Sequence, residues 1–271
     1  MFLTKVGGLD PDAEAFLIAT GISDPTITSA INTLVIDLKG YGIWSKLLAI
    51  YPLVGGTAFT HKFNLKKPLD TDAAFRVVFN GGWTHSTNGA EPNGTTGYAD
   101  TKFNAFSNLV FSNASLTYYS NTNTVQTSNI EIGAINVALP NTELLSLSLP
   151  RNTGNNAFVC TGQTNVSDLA LGTGLFTSLG FFIGSRVSSS VTDCKIYHNG
   201  ILKGSSTTNT GIYQIPNRNI FFGALNNGGT PNYFSNKRVA FSSIGLGLTN
   251  TEVSDLYTIV QAFQTTLGRQ V

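Results

Sequence analysis

Charge is scarce in this chain. Of 271 residues only 11% are Asp, Glu, Lys or Arg, against about 25% in an ordinary soluble protein. Sixteen basic and fifteen acidic residues leave a net charge of +1. Nucleic acid and anionic membrane both demand clustered Lys or Arg, so neither is an expected partner. No stretch approaches the roughly 18 apolar residues of a membrane span. Lys5 is followed by no apolar run of signal-peptide length, so none is expected. Two cysteines, Cys160 and Cys194, are too few for a disulfide framework. Both sit in apolar, β-branched surroundings, which suits buried thiols, with a single bridge between neighbouring strands as the alternative.

Catalytic residue types are equally sparse. The three histidines, His61, His85 and His198, lie far apart and outside any metal-binding motif. There is no Gly-x-Ser-x-Gly elbow and no phosphate loop. Glycosidases need two carboxylates about 5–9 Å apart, and the nearest segment, Asn129-Ile-Glu131-Ile-Gly133, holds one acid. The expectation is a protein that is not an enzyme.

In place of charge there is Asn, Ser and Thr, together roughly 30% of the chain. Gly is abundant at 28, and aromatics reach 11%. The first fifty residues carry a helical pattern. Asp10-Pro11 and Asp24-Pro25 read as N-caps followed by Pro at the first helical position. Gly21 suits the end of the first helix. Ile27, Ile31, Leu34, Val35 and Leu38 recur at helical spacing. Ile43, Leu47 and Ile50 predict a short third helix ending at Pro52, with Trp44 packed on Tyr41 or Leu48.

From about Thr57 the apolar period shortens to two. Strands are expected at Leu109–Phe111, Leu116–Tyr119, Ile130–Ile135, Ala157–Thr161, Phe176–Ile183, Asp193–His198, Ile201–Lys203, Asn219–Phe222 and Lys237–Ser242. Polar turns separate them. Asn199-Gly200 between two apolar runs marks a hairpin in which His198 faces Ile201. Thr249-Asn-Thr-Glu252 is a capping box that opens a final helix over about 250–268. The fold expected is mainly β, an antiparallel two-sheet sandwich with N-terminal helices and a C-terminal helix. Residues 1–56 form the helical leader, and residues 57–271 the sandwich.

Three segments carry a resemblance. "CKIYHNGILKGSS", "FNGGWTHS" with "GTTGYADTKF", and "YFSNKRVAFSSIGLGLTNTEVSDLYTIVQAF" are similar to laminin-G-like, concanavalin A-like jelly rolls. The leader from Asp10 through Arg76, with "ATGISDP", "GIWSK" and "HKFNLKKPLDTDAAFR", resembles bacteriophage virion proteins, as does the tail "LYTIVQAFQTTLGRQV". This resemblance implies a tail or capsid surface appendage, made in the host cytoplasm and built into the virion. It also implies contact with other virion proteins, homo-oligomerisation and contact with host cell-surface glycan. Ile27, Ile31, Leu34, Leu38 and Trp44 are the expected assembly residues, buried against partners or against the sandwich.

Trp83, Tyr98, Tyr118 and Tyr119 lie in or beside Asn- and Gly-rich stretches. They are the candidate sugar-binding aromatics, with sandwich core or subunit interface as the competing reading. No cofactor is expected. Calcium is the one candidate, through Asp100 and Asp193, each beside an expected strand; otherwise both are ordinary turn-facing acids. Lys62, Lys66 and Lys67 with His61 form the one basic clump, either a solvated linker or a dock for a neighbouring virion protein. A glycan-binding module and a glycan-degrading enzyme remain the alternatives to a structural appendage.

Overall fold

The computed structural model describes residues 8–124, 126–138, 141–150, 156–160, 169–207 and 214–271. The two N-terminal helices form as their punctuation dictates. In α1 (Pro11–Thr20) the Asp10 carboxylate accepts from Asp12 N–H, and Gly21 ends the helix at φ 67°. In α2 (Pro25–Gly40) Asp24 accepts from Ile27 N–H. Both carboxylates satisfy amides that a helix start leaves without partners.

Two sheets follow. One runs β13 (Ile201–Ser205), β12 (Cys194–His198), β11 (Gly180–Arg186), β6 (Ala114–Ser120), β17 (Val239–Gly245), β4 (Gly89–Pro92) and β3 (Trp83–Ser86). The opposing sheet runs β10 (Leu169–Gly172), β9 (Asn156–Cys160), β8 (Asn141–Ser148), β7 (Ile132–Ala138), β14 (Asn219–Phe222), β5 (Tyr98–Asn104) and β2 (Val78–Asn80). A small hairpin, β15 (Leu225–Asn227) and β16 (Thr230–Asn232), joins it, with β15 parallel to β7. The architecture is a two-sheet, jelly-roll-like sandwich. The Asn199-Gly200 hairpin forms as expected: both residues have positive φ, 50° and 74°, and His198 pairs with Ile201.

The expected third helix is a strand. β1 (Leu47–Tyr51) pairs antiparallel with β17, Ile50 opposite Ser243 and Tyr51 opposite Ser242. Leu47 and Ile50 enter one apolar cluster, Ala49 and Tyr51 the other. A strand buried on both faces has no polar alternation, so its apolar spacing imitates a helix. The leader of residues 1–56 thus supplies a strand to the sandwich. The strand expected at Leu109–Phe111 is also absent: a four-residue helix, α4 (Ala105–Asn108), leads into a turn bridged between Val110 and Asn113.

The first sheet is a middle layer. Between the sheets, Leu116, Tyr118, Phe182, Ile196 and Ile244 meet Ile132, Leu145, Leu147, Phe158 and Phe222. On its other face, Tyr119, Phe181, Ile183, Tyr197 and Phe241 meet α1, α2 and α5 (Asn250–Thr266) through Phe16, Ile31, Leu34, Leu256, Val260 and Phe263. Burial of such a side chain contributes about 1.5–3 kcal/mol. The expected cap of α5 is present: Thr249 Oγ1 accepts from Glu252 N–H, and Glu252 accepts from Thr249 N–H. Lys46 reaches the same carboxylate at 2.6 Å, fastening the leader to α5.

These layers decide among the assembly residues. Ile31, Leu34 and Leu38 are buried in the chain's own second core and Ile27 packs against it, so of the two faces expected to cover them the sandwich is the one observed. Trp44 also packs against this core, with Lys66 Nζ 3.8 Å and Lys39 Nζ 5.3 Å from its ring centroid. Cys194 is buried with its thiol 4.0 Å from the Phe158 carbonyl oxygen. The alternative, a bridge to Cys160, falls on a side chain outside those described. Among the described residues no helix is long and apolar enough to cross a membrane.

Candidate functional site

An open cleft of about 390 Å³ lies at the edge of the second sheet, lined by Ala58, Phe59, Lys62, Arg76, Val77, Val78 and Phe79. One wall is a single helical turn, α3 (Ala58–His61), whose Thr57 cap accepts from Thr60 N–H at 3.1 Å. That turn points Phe59 to solvent, 53% exposed, and His61 inward. The other wall is edge strand β2. Val77 N–H donates to the Lys62 carbonyl at 2.8 Å, drawing the walls together.

Both signs of charge line the rim. Lys62 Nζ lies 2.5 Å from Asp70, whose other oxygen is 2.9 Å from Arg76. Arg76 Nε donates to Asp72 at 2.8 Å. Lys102 continues the ladder, 3.9 Å from Asp72 and 3.0 Å from Asp100. Hydrogen bonds from Lys62 and Arg76 hold the Asp70 carboxyl below its ordinary range. Lys62 Nζ also sits 4.3 Å from the Phe59 ring centroid. Exposed pairs like these add little stability. Their effect is an ordered row of alternating donors and acceptors beside two aromatic rings.

The expected aromatics separate into different places. Trp83 is half-buried behind the cleft, edge-on to Phe79 at 5.1 Å, and its Nε1–H donates to the carbonyls of Asn80 and Tyr98. Tyr98 is half-buried on the outer face of the second sheet, with its ring 5.0 Å from that of Phe221. Tyr118 and Tyr119 require correction: both have no accessible surface, so neither ring offers a face to a sugar. Tyr118 donates to the Lys237 carbonyl at 2.7 Å, and Tyr119 to Gln261 at 3.0 Å.

The candidate calcium ligands also stand apart. Asp100 is on β5 of the second sheet, and Asp193 immediately precedes β12 of the first. Asp100 is paired with Lys102, and Asp193 accepts from Ser188 Oγ at 2.6 Å with Lys195 3.7 Å away. Among the described residues no three His, Cys, Asp or Glu side chains gather as a metal-ligand group. The basic clump disperses as well. Lys62 joins the rim, Lys66 donates to the Trp44 carbonyl, Lys67 is exposed, and His61 is buried against His85. Burial pushes the Lys66 ammonium down to about 8. Sequence reasoning missed Phe59, Arg76 and Phe79 as a group. The local signal available was Lys62 itself; the rest depends on chain reversal between α3 and β2.

No protein-family model and no curated protein matches the chain. Among solved structures, Trypanosoma rangeli sialidase in complex with 2,3-difluoro-KDN is 13% identical at a TM-score of 0.54, covering 87% of this chain and 40% of that one. The same sialidase with sialic acid is 12% identical at 0.54, covering 86% and 39%. Domain 4 of AbnA, an extracellular arabinanase from Geobacillus stearothermophilus in complex with arabinotriose, is 19% identical at 0.47, covering 78% and 98%. The chain spans about two fifths of the sialidase's length, and at these identities the likeness is one of β-sandwich fold.

Proposed function

We propose that this chain is a non-catalytic recognition module that binds a glycan in the Phe59–Phe79 cleft. The observation that carries the reading is the rim, where Lys62, Asp70, Arg76 and Asp72 alternate beside exposed aromatic surface. A sugar hydroxyl both donates and accepts, so neighbouring hydroxyls match alternating cations and carboxylates. The apolar C–H face of the ring matches Phe59. A balanced rim favours neutral sugars over strongly anionic ones. Against catalysis, the acids are already engaged: Glu91 with Arg238, Asp100 with Lys102, Glu131 with Lys237. A glycan array followed by titration calorimetry tests the reading. Arg76→Ala should weaken binding at least about tenfold, the loss expected for a hydrogen bond to a charged group, and Phe59→Ala should weaken it through the lost ring contact, each with the circular dichroism spectrum unchanged. Binding unaffected by both substitutions, or no glycan bound at all, would sink it.

A second reading, a structural subunit of a virion, rests on a different observation. On the solvent side of the helical layer Ile18 is 75% and Ile36 49% exposed, apolar surface suited to other virion proteins or further copies of this chain. Ile18→Lys with Ile36→Lys should leave the fold intact and abolish incorporation into particles. Normal incorporation of that double variant would remove the reading.

A further inference from the structure

The segments leading into β7 and β17 meet at a cluster that no glycan reading uses. Asn129, Glu131, Ser235 and Lys237 all have no accessible surface. Glu131 Oε1 accepts from Ser235 Oγ at 2.9 Å, from Lys237 Nζ at 3.2 Å, and from Asn129 Nδ2 in a short contact. Glu131 Oε2 accepts from Leu149 N–H at 2.5 Å. Tyr118 closes the site from the core side through the Lys237 carbonyl. A buried ion pair is a weak source of net stability, because desolvation offsets most of the attraction. The same arrangement is chemically competent. An amine and a primary carboxamide touch one oxygen of one carboxylate, in a place that excludes water.

We propose that Lys237 and Asn129 condense into an intramolecular isopeptide bond, with Glu131 as the proton shuttle. Glu131 Oε1 takes a proton from the Lys237 ammonium, leaving a nucleophilic amine. Nζ attacks Cγ of Asn129, and the Nζ–Cγ bond forms. Glu131 returns the proton to Nδ2, the Cγ–Nδ2 bond breaks, and the nitrogen departs as ammonium with one of the two protons still on Nζ, the other staying as the amide N–H. One ammonium and one carboxamide become one secondary amide and one ammonium, so atoms and charge balance. No oxidant or metal enters. The shared oxygen matters because a single group both removes the proton from the nucleophile and supplies it to the leaving group. Exclusion of water suppresses competing hydrolysis of the carboxamide.

Gln126 is the other amide within reach, its Oε1 3.4 Å from Lys237 Nζ. Its Nε2 donates to the Phe234 carbonyl, whereas Asn129 Nδ2 donates to the same Glu131 oxygen that holds Lys237, so Asn129 is the acceptor assigned. The bond would tie the entry to β7 in one sheet to the entry to β17 in the other. It would close a chain loop from residue 129 to residue 237, constraining the unfolded chain as a long-loop disulfide does but without sensitivity to reductant.

Intact mass spectrometry of the full chain under denaturing, reducing conditions tests the bond. The wild type should be lighter than its sequence mass by one ammonia, and proteolysis should release a branched peptide joining Lys237 to Asn129. Glu131→Gln and Lys237→Arg should each restore the unmodified mass and lower the melting temperature. The wild-type spectrum decides the matter even if these variants fold poorly. A wild-type chain at its full sequence mass would overturn the proposal. So would an ammonia loss mapped to a peptide without Lys237, or a branch at Gln126.

Discussion

Nδ1 of His61 lies 3.0 Å from Nδ1 of His85, so one imidazole must donate and the other accept. The accepting ring must be neutral in that arrangement. Burial first, then the charges of His85 and Arg269, push His61 down to about 3, and burial lowers His85. In the unfolded chain both return to about 6.5. The unfolded state therefore binds more protons below that value. Stability is fully present above pH 6.5 and falls as pH drops from there towards about 3. For His61 the full loss is on the order of 5 kcal/mol. Urea midpoints should decline between pH 7 and pH 5, before most carboxylates titrate, and His61→Gln should flatten that slope. A slope unchanged in the variant would exclude the pair as its source.

Arg269 uses every guanidinium donor on the fold. Nε donates to Gln264 Oε1, Nη1 to the carbonyls of Leu53 and Thr87, and Nη2 to those of Pro52 and Ala240. One side chain thus holds the end of β1, the β3–β4 turn, β17 and α5 together. Arg269→Ala leaves several buried carbonyls without a donor and should cost about 3–5 kcal/mol. Arg269→Lys should recover little of this, because an ammonium lacks the planar fork. Chemical denaturation of the two variants distinguishes the outcomes.

Gly184 on β11 faces the ring of Phe158 across the sandwich. A Cβ built there would lie 2.0 Å from Phe158 Cδ2. Gly184→Ala should therefore destabilise by about 1–3 kcal/mol through overpacking. Combining it with Phe158→Leu should cost less than the two changes summed, a coupling readable in a double-mutant cycle.

Leu34 on α2 is 1% exposed and belongs to the cluster between helices and sheet. Leu34→Ala should lower stability by about 2–5 kcal/mol in the isolated chain. An isolated chain insensitive to this change would mean that the helical layer does not dock as described.

Local chemistry made several elements legible. Asp10-Pro11, Asp24-Pro25, Asn199-Gly200 and Thr249 through Glu252 each act within a few residues, and each is found in place. Tyr118 and Tyr119 show the opposite case. They are neighbours on β6, one in the core between the sheets and the other under the helices. Their polar flanking sequence suggested exposure, but a strand covered on both faces buries each of its residues. β1 was unreadable for the same reason.

The site divides along the same line. Phe59 and Arg76 are 17 positions apart, and Asn129 and Lys237 more than a hundred; no spacing rule connects either pair. By itself the sequence determined the sandwich class, the helix ends and the hairpin, because caps and turns are satisfied by neighbours along the chain. Only the tertiary structure decided that the leader completes the sandwich and that the predicted tyrosines are core. It alone assembled the rim of the cleft and the Glu131 cluster, because burial and shared hydrogen-bond acceptors depend on which distant segments the packed layers bring together.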